Sequence, residues 1–141
     1  SIAEEMRLAK LYLQLQEKRF PGRFSFDLTV DPEVSGQQIP ALLLQPAVEN
    51  AIKHGVARTQ EHVHLILTAE RMDDDVSLTV TDTGSAGEMS PTAAGDGLRI
   101  LRETLELYYP AQHSMKFDCS AKGATLSIRI PFAAELQIRH G

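Results

Sequence analysis

Four short stretches of the 141-residue sequence carry side chains that could bind a ligand. The first, residues 45–55, reads Gln-Pro-Ala-Val-Glu-Asn-Ala-Ile-Lys-His-Gly. On a helix its apolar residues share one face, and Asn50 lies nearly opposite, with Lys53 and His54 on either side. An amide oxygen, an ammonium group and an imidazole within one turn could ligate magnesium, contact phosphate and cover a base. A solvated helix face would have the same composition.

The second stretch, residues 82–87, begins at the end of a strand-like pattern. Asp82 has the parity of the alternating apolar residues of 76–80, so its carboxylate faces the core. A buried carboxylate needs a hydrogen-bond donor, and the exocyclic amine of a purine would serve. Gly84 would let the backbone approach a flat ring. An aspartate that caps a turn explains the same residues.

The other two stretches are rich in glycine. Residues 95–99 read Gly-Asp-Gly-Leu-Arg and open a helical pattern, so the backbone near Gly95 and Gly97 would offer N–H groups to an anion. Residues 122–125 read Lys-Gly-Ala-Thr and join two strands. Residues 95–99 could instead only mark the start of a helix, and residues 122–125 could be an ordinary hairpin turn.

The longest predicted element is a helix over residues 2–20, whose apolar residues form two neighbouring stripes. The second stripe comprises Leu8, Leu11, Tyr12 and Leu15. Because two stripes need two partners, the pattern favours a helix of a bundle over one that packs only on its own domain.

Period-two alternation predicts five strands, at 24–30, 63–69, 76–80, 114–118 and 124–131. Helical spacing returns over 40–54, with a break or fresh start at Pro46, and over 97–108. Residues 83–96 are mainly small or turn-forming and predict a mobile loop. The order lacks a regular βαβ repeat, which favours an α+β two-layer sandwich with helices on one face of a mixed sheet.

Composition excludes several classes of function. The net charge of −5, without a long basic run, argues against non-specific binding of nucleic acids or membrane surfaces. A single cysteine, Cys119, rules out an intramolecular disulfide or a cysteine-based zinc site. There is no signal-peptide pattern and no apolar run of membrane-spanning length. His62 and His64 alternate on a strand and lack evident further metal ligands.

In their order, the four stretches resemble the ATP-binding domains of the GHKL superfamily, which includes histidine kinases, gyrase, Hsp90 and MutL. Residues 42–55, Leu-Leu-Leu-Gln-Pro-Ala-Val-Glu-Asn-Ala-Ile-Lys-His-Gly, resemble the N-box of LytS-type sensor kinases. Residues 12–20, Tyr-Leu-Gln-Leu-Gln-Glu-Lys-Arg-Phe, resemble the segment that precedes it there. The likeness runs from about residue 4 to residue 131, and it implies the Bergerat (GHKL) fold.

The resemblance implies a role for each polar residue of the N-box. Asn50 would ligate a Mg²⁺ ion that bridges the phosphates of ATP. Lys53 would approach the phosphates and His54 the nucleoside, and Glu49 would have a weaker polar or proton-handling role.

The resemblance also implies the remaining contacts of the nucleotide. Asp82 would accept a hydrogen bond from the adenine amino group, with Gly84 beside the ring. Residues 83–96 would form the ATP lid. Gly95 and Gly97 would meet the phosphates. Leu98 is a further implied nucleotide-binding residue, and Thr125 would support the Asp82 end of the pocket.

The implied reaction is transfer of the γ-phosphoryl group from ATP to a histidine, by positioning and charge neutralisation. LytS-type kinases carry that histidine in a Pro-His-Phe motif, which this sequence lacks, so the acceptor would be supplied from elsewhere. The implied partners are the acceptor helix of the same kinase and a response regulator, in a homodimeric full-length protein. That protein would be anchored in the inner or plasma membrane, with this part in the cytoplasm.

This reading divides the chain into residues 1–22, the second helix of the dimerisation hairpin, residues 23–132, the catalytic domain, and the tail 133–141. The sequence departs from the family pattern at Ala86, Ile100 and Thr104, where glycine, asparagine and arginine are common. These departures keep open two alternatives. One is a module that binds ATP as a sensor or partner-binding unit without phosphotransfer, and the other is a GHKL-type serine kinase or ATPase.

Overall fold

The computed structural model describes residues 1–57, 60–84, 96–120 and 123–133. Its helices are α1 (Ile2–Arg19), α2 (Gln45–Asn50), which continues as a π-helical segment (Ala51–Val56), and α3 (Asp96–Tyr108). Its strands are β1 (Phe24–Val30), β2 (Val63–Met72), β3 (Asp75–Asp82), β4 (Ser114–Ser120) and β5 (Gly123–Pro131). All five predicted strands are confirmed.

The strands form one sheet in the order β1-β2-β3-β5-β4. β1 and β2 are parallel, and the other neighbours are antiparallel. Because side chains alternate along each strand, one face presents apolar residues to the helices and the other presents polar residues. The apolar face forms one core with the helices, which confirms the predicted α+β two-layer sandwich. The polar face, called the open face below, includes Ser25, His64, Thr68, Thr79, Thr81 and Thr125.

α1 is stabilised by a side-chain cap at its N-terminus and by charges at both ends that match its dipole. The hydroxyl of Ser1 accepts a hydrogen bond from the backbone N–H of Glu4 at 3.2 Å. Acidic residues occupy the first turn and basic residues the last. Neither α1 nor any other helix of the described ranges is long and apolar enough to cross a membrane.

The two apolar stripes of α1 have different environments. The first stripe is buried in the core that the sheet also forms, and its members are Ile2, Met6, Ala9 and Leu13. In the second stripe Leu8, Leu11 and Leu15 are exposed, Leu15 by 64%. One face of α1 is therefore committed to the sheet, and the assignment of residues 1–22 to a separate hairpin stays a prediction.

The helix predicted over residues 40–54 is wrong at its start. Residues 40–44 form turns, and α2 begins at Gln45, with Pro46 in its first turn. A helix through Pro46 would set the proline ring against the carbonyl of Leu42, and Leu42 instead has a φ of 61°. The fresh start predicted at Pro46 is confirmed. The helical path continues past Gly55 to Val56 in π-helical form, which is frequent at functional sites.

Candidate functional site

The candidate site is centred on Asp82, the last residue of β3. Its side chain is 5% exposed and shares the core-facing side of the strand with Val80, so the prediction from strand parity is confirmed. One carboxylate oxygen, Oδ1, accepts a hydrogen bond from the backbone N–H of Gly84 at 3.0 Å. A buried charge needs such donors, because loss of hydration would otherwise cost several kcal/mol.

Two glycines bring backbone directly against this carboxylate. A β-carbon on Gly55 would lie 3.0 Å from both Cγ and Oδ1 of Asp82. A β-carbon on Gly84 would lie 2.4 Å from Cγ2 of Val63 and 3.0 Å from the carbonyl oxygen of Gly55. Both values are shorter than ordinary van der Waals contact, so neither position has room for a side chain. The π-helical segment, the end of β3 and the start of β2 therefore meet at Asp82.

The sheet register decides which residue of β5 faces this site. Ala124 pairs with Asp82 and shares its face of the sheet. Thr125 pairs with Thr81, and their hydroxyl oxygens lie 3.2 Å apart on the open face. The structure thus does not bring the Thr125 side chain to the carboxylate, because neighbouring residues of a strand point to opposite faces.

Ala124 and Cys119 are residues of this neighbourhood that sequence reasoning did not select. Cys119 pairs with Ala124 across β4 and β5. Burial, and after it the negative charges of Asp82 and Asp118, raises the pKa of the Cys119 thiol. Counting residues from the predicted turn between β4 and β5 could have aligned Ala124 with Cys119, whereas its pairing with Asp82 joins strands that are distant in sequence.

Asn50 has the property expected of a metal ligand. Its side chain is half-buried, and within the described ranges its buried Oδ1 atom has no hydrogen-bond partner. A buried amide oxygen without a donor is costly, so such a group needs an explanation. Amide oxygens are ligands of hard cations such as Mg²⁺, so the atom fits the predicted role. His54 is half-buried one turn further on, in the π-helical segment.

Glu49 and Lys53 have a different environment from Asp82. Both line a cavity of about 320 Å³ between α1 and α2, together with Tyr12, Arg19 and Phe20. Burial, and next the negative charge of Glu49, raises the pKa of Tyr12, while Arg19 acts in the opposite direction. The structure therefore groups Glu49 and Lys53 with α1.

The start of α3 lies beside the start of α2. A β-carbon on Gly97 would lie 3.8 Å from Pro46, an ordinary contact, and Leu98 is buried in the core. Leu98 therefore positions the helix through packing. Gly84 and Asp96 flank residues 85–95, so Gly95, Ala86 and most of the predicted lid lie outside the described residues.

The departures at Ile100 and Thr104 face a groove between α3 and the turn before α2. The groove has a volume of about 260 Å³, and Leu42 and Glu49 also line it. Ile100 is 51% exposed. The Thr104 hydroxyl donates a hydrogen bond to the backbone carbonyl of Ile100 at 2.8 Å. Both residues therefore belong to the outer surface of α3.

Comparison with known proteins finds sensor histidine kinases as relatives, although no family model matches the sequence. The chain is similar to the sensor histidine kinase BtsS of Escherichia coli K12, with 28% identity over 96% of the chain. It is also similar to the sensor protein LytS of Staphylococcus haemolyticus, with 29% identity over 93% of the chain, and to the sensor histidine kinase YesM of Bacillus subtilis, with 29% over 96%. It spans 24% of the length of each of these relatives.

Solved structures agree on the fold. The catalytic domain of the histidine kinase ThkA superposes with a TM-score of 0.68 at 19% identity, and the match covers 96% of each chain. The mycobacterial sensor histidine kinase MprB gives a TM-score of 0.62 at 17% identity, over 89% of this chain and 93% of that one. The chain is thus similar to LytS-type sensor histidine kinases over nearly its whole length, and it has the fold of a histidine kinase catalytic domain.

Proposed function

We propose that this chain binds ATP with Mg²⁺ and transfers the γ-phosphoryl group to a histidine on a segment outside it. The observation that carries the proposal is the buried Asp82 carboxylate, enclosed by the backbone of Gly55 and Gly84. A carboxylate in such surroundings can accept a hydrogen bond from the adenine amino group. Hydrogen bonds to a charged acceptor are about twice as strong as neutral ones. Gly84 supports the same assignment, because it leaves the side of a flat ring unobstructed.

The phosphate end of the proposed site lies along α2 and the start of α3. Asn50 would hold Mg²⁺ through its buried Oδ1 atom. When bound, Mg²⁺ would neutralise charge on the β- and γ-phosphates. Backbone N–H groups near Gly97 support a phosphate contact, since the first turn of a helix leaves its N–H groups without intrahelical partners. Gly95 is assigned to the same contact.

The remaining residues of the N-box receive supporting roles. Lys53 is exposed, and its long side chain can turn from the α1 cavity towards a phosphate. His54 is assigned to the nucleoside, and Glu49 to proton handling. Thr125 is assigned an indirect role through its hydrogen bond with Thr81, which precedes Asp82.

In the proposed reaction, a lone pair on an imidazole nitrogen of the acceptor attacks the γ-phosphorus. The bond from that phosphorus to the bridging oxygen breaks, and ADP leaves. The exposed stripe of α1 supports a partner helix that carries the acceptor, since Leu8, Leu11 and Leu15 are uncovered within the described ranges. We assign the full-length protein as a membrane-anchored homodimer with this domain in the cytoplasm and a response regulator as its phosphoryl acceptor.

Isothermal titration calorimetry with Mg²⁺-ATP tests the adenine assignment. Asp82→Asn should weaken binding roughly 10- to 100-fold, because a hydrogen bond to a charged group contributes about 1.5–3 kcal/mol. Asp118→Asn is the matched control, since Asp118 is exposed on the open face. Equal ATP affinity for wild type and Asp82→Asn, with both folded by circular dichroism, would refute the assignment.

A transfer assay separates this proposal from its alternative, an ATP-binding sensor module without phosphotransfer. The groove at Ile100 and Thr104 favours that alternative, because it places apolar and internally bonded side chains where polar ones are common in the family. The fragment alone should not become labelled from γ-labelled ATP, whereas an added acceptor helix pair should. Asn50→Ala should abolish the label. ATP binding without any transfer to the helix pair would establish the alternative.

A further inference from the structure

A second cluster of polar side chains lies on the open face of the sheet, where β1 and β2 begin. The Ser25 hydroxyl is 2.8 Å from Nδ1 of His64 and 3.1 Å from Nε2 of His62. The other ring nitrogen of His62, Nδ1, is 3.2 Å from the carbonyl oxygen of Gly22. The other ring nitrogen of His64, Nε2, is 3.0 Å from the Asp27 carboxylate. Both imidazoles therefore point one nitrogen at the same hydroxyl.

The outer partners determine which nitrogen of each ring carries a proton. A carbonyl oxygen only accepts hydrogen bonds, so Nδ1 of His62 must donate to Gly22. The ionised Asp27 likewise only accepts, so Nε2 of His64 must donate to it. In the neutral rings the two nitrogens that face Ser25 then carry lone pairs. Because a serine hydroxyl has one proton, it can satisfy only one of them, and the other lone pair is left for water or for a metal cation.

We infer that His62 and His64 form a chelating site for a divalent transition metal of the Zn²⁺, Ni²⁺ and Cu²⁺ class. Two convergent imidazole nitrogens with lone pairs are the ligands that these ions prefer. A metal-binding histidine usually donates its other N–H to a carboxylate or a backbone carbonyl, and Asp27 and Gly22 fill those positions here. The alternation of His62 and His64 in the sequence does not by itself predict how the two rings are oriented.

The site is partly preorganised by the sheet. Ser25 and His64 are register partners in the parallel pair of β1 and β2, which fixes their separation. The backbone N–H of His64 also donates to the hydroxyl of Thr83, the residue after β3, at 3.0 Å. No group of three or more His, Cys, Asp or Glu side chains in the described part of the chain is placed to hold a metal. The site is therefore a two-imidazole chelate, with its other coordination positions left to water or a ligand, and affinity should be highest for Cu²⁺.

Calorimetric titration of the untagged, nucleotide-free domain with ZnCl₂ tests the site, and it is independent of whether the chain binds ATP. One saturable Zn²⁺ site is expected, with at least a tenfold loss of affinity in His62→Gln and in His64→Gln. His113→Gln is the matched control and should bind as wild type, because His113 lies elsewhere and bonds to the Tyr109 carbonyl at 2.8 Å. Equal affinity in wild type and His64→Gln, or no saturable binding, would overturn the proposal.

The orienting role of Asp27 has its own variant. Asp27→Asn keeps both imidazoles, yet it should weaken Zn²⁺ binding roughly 10- to 100-fold, the range for loss of such an outer partner. Asp27 is exposed, so the melting temperature should not change. Nuclear magnetic resonance of the imidazole nitrogens should show Zn²⁺ at Nε2 of His62 and Nδ1 of His64. Coordination through the opposite nitrogens, or unchanged affinity in Asp27→Asn, would overturn the assigned geometry.

Discussion

A methyl group at residue 55 would collide with the carboxylate that the proposed function depends on. In Gly55→Ala the new β-carbon would lie 3.0 Å from Cγ and Oδ1 of Asp82 and 3.3 Å from Oδ2. Carbon atoms pack at about 3.5–4.0 Å, so the carboxylate must retreat by roughly half an ångström. Gly55 is held inside the π-helical segment and Asp82 between two strands. The shift therefore falls on the Asp82 side chain and on its hydrogen bond to Gly84.

Two effects of opposite sign determine the stability of Gly55→Ala. Overpacking of a filled site costs about 1–3 kcal/mol. Replacing a helical glycine by alanine stabilises the folded state by about 0.5–1 kcal/mol. The free energy of unfolding should thus fall by up to about 2.5 kcal/mol. ATP affinity should fall further, roughly 10- to 100-fold, if the displaced carboxylate no longer bonds to adenine.

Calorimetry with Mg²⁺-ATP and thermal unfolding would be measured on Gly55→Ala and on the control Gly36→Ala. Gly36 is exposed in the turn after β1, and a β-carbon there would meet nothing within 4 Å. The control should therefore match wild type in both measurements. If Gly55→Ala also matches wild type in both, the contact with Asp82 is not tight and the reasoning fails. If Gly55→Ala loses stability but keeps the ATP affinity of wild type, Asp82 does not bind the nucleotide.

Two further predictions concern α1. Glu5 is buried, and its carboxylate accepts a hydrogen bond from the N–H of Leu43 at 2.8 Å, so Glu5→Ala should lower the free energy of unfolding by about 1–3 kcal/mol in urea titrations. Burial, and then the charge of Glu49, raises the pKa of Tyr12 above its usual 10.0, so the folded state holds that proton more tightly. This contribution is complete below pH 10 and is lost as the pH rises through the folded-state pKa, so Tyr12→Phe should lose less stability than wild type above pH 10.

Exposed neighbours provide the controls for both variants. Glu4→Ala changes an exposed side chain in the same turn as Glu5 and should shift stability by less than about 0.5 kcal/mol. If Glu4→Ala lowers the free energy of unfolding as much as Glu5→Ala, the effect comes from the charge at the helix start and not from the buried hydrogen bond of Glu5. Leu15→Ala should retain the pH dependence of wild type, since Leu15 is exposed on the same helix and carries no titratable group. Parallel pH curves for wild type and Tyr12→Phe would contradict the burial argument for Tyr12.

The sequence by itself determined the strands, the fold class and the burial of Asp82. Each follows from local periodicity, because alternation along a strand assigns a residue to a face whatever its neighbours are. The same reasoning separated the two stripes of α1, one buried and one exposed. It also located a helix start at Pro46, since proline excludes the preceding turn from a helix.

Only the tertiary structure decided which residues meet. A helical wheel places Glu49 and Lys53 relative to their own axis, but the packing of α1 decides that they line its cavity. Residues 55 and 82 are far apart in sequence, so their contact depends on how the π-helical segment crosses the sheet. The pairing of β3 with β5 set Ala124, and not Thr125, opposite Asp82, because a shift of one residue reverses every side chain. The convergence of His62 and His64 on Ser25 likewise required the parallel register of β1 and β2.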